Sequence, residues 1–385
     1  MNRQTDLLII GQGICGTFLS WELERAGVSH IVIDEERPDT ASRAAAGLIN
    51  PVTGRRIVTT WMIDELLPFA REAYRQIGET LGGSYMEPAS VVDFFPTPQM
   101  RVAFLQRYAE DPEYLQLPAD EHSWDECFRY DFGYGLINPC YLVDMMGLMA
   151  AGRRRMRERG MFLEERFEVD EMVVDGGTSA YGGTRVDGLT GVDGAPRVRY
   201  RDIEARRVVF CDGIGSFAGP YFSRLPFAPN KGEALIVEIP GLEGTTRGER
   251  IAGTGEGLIF KKGISLAPWG DGLYWVGSSY EWTFEHKEPT EAFRVRTEGV
   301  LREWLKLPFR TVQHIASVRP ATLERRPFVG FHPVHTAVGI LNGMGTKGCS
   351  LAPYFAHQLV GNITQGSLIR PDADVRRFSK VLSKG

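Results

Sequence analysis

The stretch LLIIGQGICGTFLS, Leu7 to Ser20, changes its period in the middle. Four consecutive apolar residues, Leu7 to Ile10, suit a short strand covered on both faces. Gly11, Gly13 and Gly16 follow. Ile14, Phe18, Leu19, Leu23 and Ala26 then recur at helical spacing as far as Gly27, a suitable helix stop. A second apolar strand, Ile31 to Ile33, ends in Asp34. The pattern predicts a βαβ unit whose first turn is kept free of side chains.

In such a unit the first glycine makes the tight turn, the second lets a pyrophosphate approach the backbone, and the third lets helix pack on strand. The helix start at Gly13, Ile14, Cys15 and Gly16 offers free N–H groups, which with the helix dipole favour a phosphate. Asp34, with Glu35 as the next acid, stands near the spacing of about 20 residues at which a carboxylate bonds the ribose hydroxyls of an adenosine. A dinucleotide is the expected ligand, and both FAD and NAD meet these requirements.

The chain's 385 residues are enough for two domains with separate cores. With 44 basic and 49 acidic residues there is no electrostatic footprint for nucleic acid. The densest basic run, RRRMRERG from Arg153 to Gly160, is expected to be a solvated helix face. Cys15, Cys127, Cys140, Cys211 and Cys349 form neither a CxxC pair nor a disulfide framework, which favours a reducing compartment. His332 and His335 have no companion ligands at recognisable spacing, so no metal is expected. The start, MNRQTDLLII, is too short in apolar residues for a signal peptide or a membrane span, and a cytoplasmic location is expected.

After the second strand comes TASRAAAGLINP, Thr40 to Pro51, a run of small residues where a nicotinamide-binding fold would continue into another helix. This segment resembles the FAD-dependent D-amino acid oxidase family, which includes glycine and sarcosine oxidases. The match falls on Ser42, Arg43, Ala46 and Gly47, which the resemblance places against the flavin. Three later segments resemble the same family: ARRVVFCDGIGS (Ala205–Ser216, with Asp212 and Gly213 beside the cofactor), LYWVGSSYEW (Leu273–Trp282), and VRPATLERRPFVGFHP followed by LNGMGTKGCSLAPYFAHQLVG (Val318–Gly361). The resemblance implies an α/β fold, a Rossmann-like FAD-binding domain with a second, mainly antiparallel-sheet (α+β) substrate domain. The FAD domain is expected to be discontinuous, from residues 1–80, 142–222 and 319–385, with 81–141 and 223–318 forming the substrate domain. Pro229 to Leu242 suggests an edge-like strand of that second sheet, and the glycine-rich Asp175 to Pro196 a surface hairpin. No cysteine or histidine lies in the segments that anchor FAD covalently in some relatives, so the cofactor is expected to be non-covalent.

Site candidates follow from both sources. Gly343, Gly345, Thr346, Lys347 and Gly348 precede a helix with apolar residues at Leu351, Phe355, Leu359 and Val360. That helix start and the Lys347 charge suit the negative charge that develops on a reduced flavin. The resemblance places a substrate-binding arginine at Arg319, where a guanidinium fork matches a carboxylate; Arg325 and Arg326 are its neighbours. Tyr280 and Trp282 are expected to wall the substrate cavity, and Asn50, Thr53, Arg55 and Arg56 to reach the substrate side of the ring. Trp275 stands where sarcosine oxidases carry an oxygen-activating lysine, which counts against rapid reaction with dioxygen. The expected activity is oxidation of the C–N bond of a D-amino acid, glycine or N-substituted amino acid, with electrons passed to dioxygen or another acceptor. The alternatives are a tRNA-modifying oxidoreductase of the same family and a non-catalytic flavoprotein subunit; side-chain preference and oligomeric state are left open.

Overall fold

A computed structural model describes residues 3–54, 56–174, 197–242 and 257–384. Among these residues the strands form one sheet of eight, one of nine, and a small hairpin. The first sheet grows from the opening stretch. The strand Arg3–Ile10 pairs in parallel with His30–Ile33 on one side and with Ile203–Phe210 on the other. Phe162–Leu163 and Val338–Asn342 extend the parallel arrangement outward on the two flanks. Its side chains alternate as strand geometry requires. Leu7 and Ile9 enter a core shared with Phe18, Leu19 and Phe355, while Leu8 and Ile10 enter another with Ile31, Val208 and Ile340. Burial on both faces explains an uninterrupted apolar run.

Three helices cover the first of those faces: Ile14–Arg25, Met145–Glu158 and Gly348–Gln365. A fourth, Ile63–Leu81, packs beside them through Ile63, Leu66, Leu67, Ala70, Ala73, Tyr74 and Ile77, an i, i+3, i+4 stripe that stops at Gly82 in a left-handed cap (φ 74°). Tyr74 meets Phe18 edge-on at 5.1 Å and donates its hydroxyl to the Cys349 carbonyl at 3.0 Å, pinning this helix to the start of Gly348–Gln365.

The second sheet runs, in spatial order, Arg310–Arg319, Asn230–Glu238, Leu273–Gly277, Ile264–Gly270, Gly257–Lys262, Met86–Phe94, Tyr134–Val143 and Leu48–Ile49. All its ladders are antiparallel except Gly257–Lys262 on Met86–Phe94. The strand expected at an edge, Asn230–Glu238, is paired on both sides instead. Pro229 and Pro240 flank it but lie outside it, so no ladder donor is missing and both neighbours can bond.

The chain passes between the sheets at three places. Leu48–Ile49, just after the small-residue run, pairs with Leu142 and Tyr141 of the second sheet. Tyr134–Val143 leads directly into the helix Met145–Glu158 beneath the first, and Arg310–Arg319 ends where the chain turns back toward Phe328–Phe331. These crossings gather the residues described below. The proposed hairpin at Asp175 to Pro196 lies outside the described residues. No helix among them is long and apolar enough to cross a membrane, and none of their His, Cys, Asp and Glu side chains form a group of three or more that could hold a metal ion.

Candidate active site

The three glycines of the opening turn have separate causes. Gly11 adopts φ 96°, and a Cβ there would stand 2.7 Å from the Cys211 carbonyl oxygen. At Gly16 a Cβ would come within 2.0 Å of the Gly11 carbonyl, so only glycine lets the helix sit on the turn. A Cβ at Gly13 would stand 3.0 Å from the Ser42 hydroxyl, so glycine is what lets the small-residue run lie against the turn. No side chain caps this helix at Gly13 and no acid lies in its first turn. Ser42 Oγ accepts the Ile14 N–H at 3.1 Å, bringing the small-residue run to the same place. Burial pushes the Cys15 thiol up to about 12 and raises Cys211 as well, so both stay neutral beside an anion site.

Asp34 takes hydrogen bonds from the Gln12 N–H (2.8 Å), the Glu36 N–H (2.8 Å) and Arg153 Nη2 (2.7 Å). Glu35 projects outward toward Arg37. Arg153 was expected in solvent and is instead 3% exposed. It bonds Gln12 Oε1 at 3.0 Å as well as Asp34, and pairs with Glu36. Burial of Met145, Leu148, Met149, Gly152 and Met156 along the same helix shows why: Arg153 falls on that stripe, and the charge run concealed the periodicity.

The small-residue run is fixed from both sheets. Gly47 (φ 80°) lies so close to the second sheet that a Cβ would come within 2.1 Å of the Val143 carbonyl, and its own carbonyl accepts the Val143 N–H at 2.8 Å. Trp275 donates its indole N–H to the Ala44 carbonyl at 3.0 Å and packs on Ala46. Arg43 pairs with Glu36. On the far side Asp212 turns inward: its carboxylate accepts from Ser216 and Asn342 and shapes the turn at Gly213 (φ 60°). Burial raises its pKa to about 6.

The helix Gly348–Gln365 also begins with neither a side-chain cap nor an acid in its first turn. A Cβ at Gly348 would lie 3.3 Å from Ile14 Cγ2, so the two helix starts adjoin. Gly343 (φ 80°) and Gly345 (φ 55°) shape the loop before it, and Thr346 is exposed. The Lys347 ammonium reaches the Asn50 carbonyl (3.5 Å) and Thr60 Oγ1 (3.3 Å), and no carboxylate among the described residues pairs with it. Burial pushes its pKa down to about 8.

The same loop touches the end of Arg310–Arg319, where the Gly345 N–H meets the Pro320 carbonyl at 3.3 Å. Arg319 donates from Nη1 to Asn230 Oδ1 (2.8 Å) and the Ser279 carbonyl (3.2 Å), and from Nη2 to Ser278 Oγ (2.8 Å). Among the described residues no carboxylate forms an ion pair with it. Burial pushes its pKa below the usual arginine value. Tyr280 lies over the guanidinium, 4.8 Å from ring centroid to Cζ, but the ring is 60% exposed, as is Trp282. Asn50 is buried, yet its side-chain oxygen accepts the Val52 N–H at 2.9 Å and so shapes its own turn, leaving its carbonyl for Lys347. Thr53 and Arg56 are exposed, and Arg55 lies outside the described residues. Arg325 is exposed, while Arg326 stacks on Trp61 at 4.0 Å.

These residues fit an FAD. The first helix start would supply N–H groups for its diphosphate and Asp34 an acceptor for its ribose, while the second helix start and the unneutralised Lys347 would face a ring that gains negative charge. In agreement, solved structures of similar fold are oxidases and dehydrogenases by name, and that of L-alpha-glycerophosphate oxidase from Mycoplasma pneumoniae has FAD bound. Glycine oxidase from Geobacillus kaustophilus superposes with a TM-score of 0.73 at 16% identity, covering 100% of this chain and 99% of its own. Iminodiacetate oxidase from Chelativorans sp. BNC1 gives 0.66 at 19% identity, with 94% and 96% covered. L-proline dehydrogenase from P. horikoshii gives 0.70 at 15%, with 99% of each chain covered. At such identities the likeness is one of fold. Membership rests on the sequence itself, which matches the DAO family, FAD dependent oxidoreductase, over residues 6–361. The chain therefore belongs to the DAO family of FAD-dependent oxidoreductases.

Proposed function

We propose that this protein oxidises the C–N bond of a small amino acid, a D-amino acid, glycine or an N-substituted amino acid, to an imine that water hydrolyses. The observation that carries the reading is Arg319: a desolvated guanidinium held by neutral acceptors, with no ion-pair carboxylate among the described residues, beside the loop that leads into the second uncapped helix. A half-buried, partly desolvated cation of that kind calls for an external anion, and a guanidinium fork suits the two oxygens of a carboxylate. Bound FAD supplies the two-electron acceptor for the hydride from the α-carbon. The residues of the chain bind and orient: Arg319 fixes the carboxylate, Tyr280 shields the guanidinium, and Lys347 holds positive charge where the ring becomes anionic. Trp275 fills the strand position opposite Ala44 with an uncharged side chain, which supports an acceptor other than dioxygen. A division into an FAD domain (1–80, 142–222, 319–385) and a substrate domain (81–141, 223–318), a non-covalent cofactor and a cytoplasmic location belong to the same proposal.

Anaerobic mixing of the purified yellow protein with D-amino acids, glycine, sarcosine and proline derivatives tests it. Bleaching of the flavin by at least one is expected, and repetition in air separates oxidase from dehydrogenase. A flavin that no member of the panel bleaches would leave a structural subunit, or an oxidoreductase acting on a modified tRNA, as the better account.

A further inference from the structure

Resting on the reading of Arg319 as the carboxylate ligand, a second residue stands out opposite it. Asn230 faces Arg319 directly in the ladder between Asn230–Glu238 and Arg310–Arg319. Its side chain is 2% exposed. Oδ1 accepts from Arg319 Nη1 at 2.8 Å, while Nδ2 has no acceptor at all among the described residues. A buried amide donor without a partner is costly, and native structures rarely leave one so without reason.

The local sequence, Asn230-Lys231-Gly232-Glu233, sorts its groups by strand alternation. Asn230 and Gly232 share the Arg319 face. A Cβ at Gly232 would stand 1.9 Å from Arg319 Nη2, so glycine is what lets the guanidinium lie flat across the strand. Glu233, the acid of this segment, falls on the other face. There it accepts from the Thr290 N–H (2.6 Å) and Oγ1 (2.8 Å) and pairs with Lys231 (3.2 Å) and His314 (2.9 Å). Among the described residues every group bonded to Arg319 is neutral, namely the side chains of Asn230 and Ser278 and the backbone carbonyl of Ser279.

We propose that Asn230 is a binding residue of the substrate site: its oxygen aims Arg319 without neutralising it, and its free N–H₂ group donates to the same incoming carboxylate. An aspartate of identical shape would make an internal ion pair and exclude the ligand.

Asn230→Asp and Asn230→Ala separate this role from simple packing, because the two accounts predict opposite orders. If Asn230 only fills space and holds the fold, the isosteric Asp is the milder change. Under the proposal it is the more damaging. The readout is the dissociation constant of acetate, titrated into the oxidised holoenzyme and followed by the flavin difference spectrum at matched FAD content. Asn230→Asp is expected to bind acetate about tenfold or more weakly than Asn230→Ala, as for a site already holding its own counter-charge. Ser278→Asp, which brings a carboxylate to Nη2 from a different strand end, should do the same and serves if Asn230→Asp fails to fold. Asp variants that bind acetate as well as Asn230→Ala would overturn the proposal. Arg319→Ala is run alongside: if it abolishes acetate binding while the Asp variants do not, only the role of Asn230 falls, and if it leaves acetate binding intact the reading of Arg319 falls with it.

Discussion

Arg153 Nη2 lies 2.7 Å from Asp34 Oδ1, tying the helix Met145–Glu158 to the carboxylate that ends the second strand. The guanidinium is nearly buried and also serves Gln12 and Glu36. Truncation of such a group strands its partners' charges, at a cost of about 3–5 kcal/mol for a fully buried pair and less here because Asp34 and Glu36 keep some solvent. Arg153→Ala is expected to lower both thermal stability and FAD retention, measured by melting of the apoprotein and by released flavin. Arg154→Ala, on the same helix one residue along, should change neither.

Asp34→Ala should weaken FAD retention by about 1–3 kcal/mol, the range for a lost hydrogen bond to an ionised acceptor. Glu35 is exposed and turned toward Arg37, so Glu35→Ala is expected to retain FAD as the parent protein does. Equilibrium dialysis of the two variants checks the pair, and the reverse order would exchange their roles.

The Trp275 indole N–H is bonded to the Ala44 carbonyl at 3.0 Å, so Trp275→Phe removes one hydrogen bond from the small-residue run while keeping an aromatic ring. A loss of about 1 kcal/mol in stability is expected, visible as a lower denaturant midpoint with unchanged slope. FAD should also dissociate faster, because the run that Trp275 holds also meets Ile14 through Ser42.

Lys347 has its pKa lowered to about 8 by burial, so it is charged below that pH and loses its charge above it. A charge near the ring favours the reduced, anionic flavin. Lys347→Met should therefore lower the flavin midpoint potential at neutral pH by roughly 30–60 mV, or about 1.4–3 kcal/mol for a two-electron couple. The difference from the parent protein should shrink as pH rises past about 8, when the parent lysine too becomes neutral. No difference at neutral pH would place Lys347 away from the ring, and a difference constant across that range would mean that it keeps its charge above pH 8.

Much of this arrangement was legible in the amino-acid order because local physics decides it. Leu7 to Gly16 announces itself through a change of period and glycines whose absent side chains have identifiable neighbours. The second helix start, Gly343 to Gly348, is legible for the same reason. What could not be read depends on pairing between distant segments. Asn230 meets Arg319 across 89 residues, and nothing near Asn230 signals that. Asn50 comes to lie against Lys347, and Tyr280 over Arg319, through contacts that local spacing does not announce. Arg153 shares a helical stripe with Met149 and Met156, a spacing that the surrounding run of arginines hides.

The most direct measurement of the central claim is the kcat/KM of Arg319→Ala on the best amino acid found by anaerobic reduction. The account predicts a loss of about 2–5 kcal/mol in transition-state binding, roughly 30-fold to several thousand-fold, because a desolvated carboxylate loses its partner. Arg319→Lys should recover only part of it, since an ammonium cannot form the bidentate fork, and both variants should keep their FAD. Full activity in Arg319→Ala, or loss of flavin together with the fold, would contradict the assignment of Arg319 to the substrate.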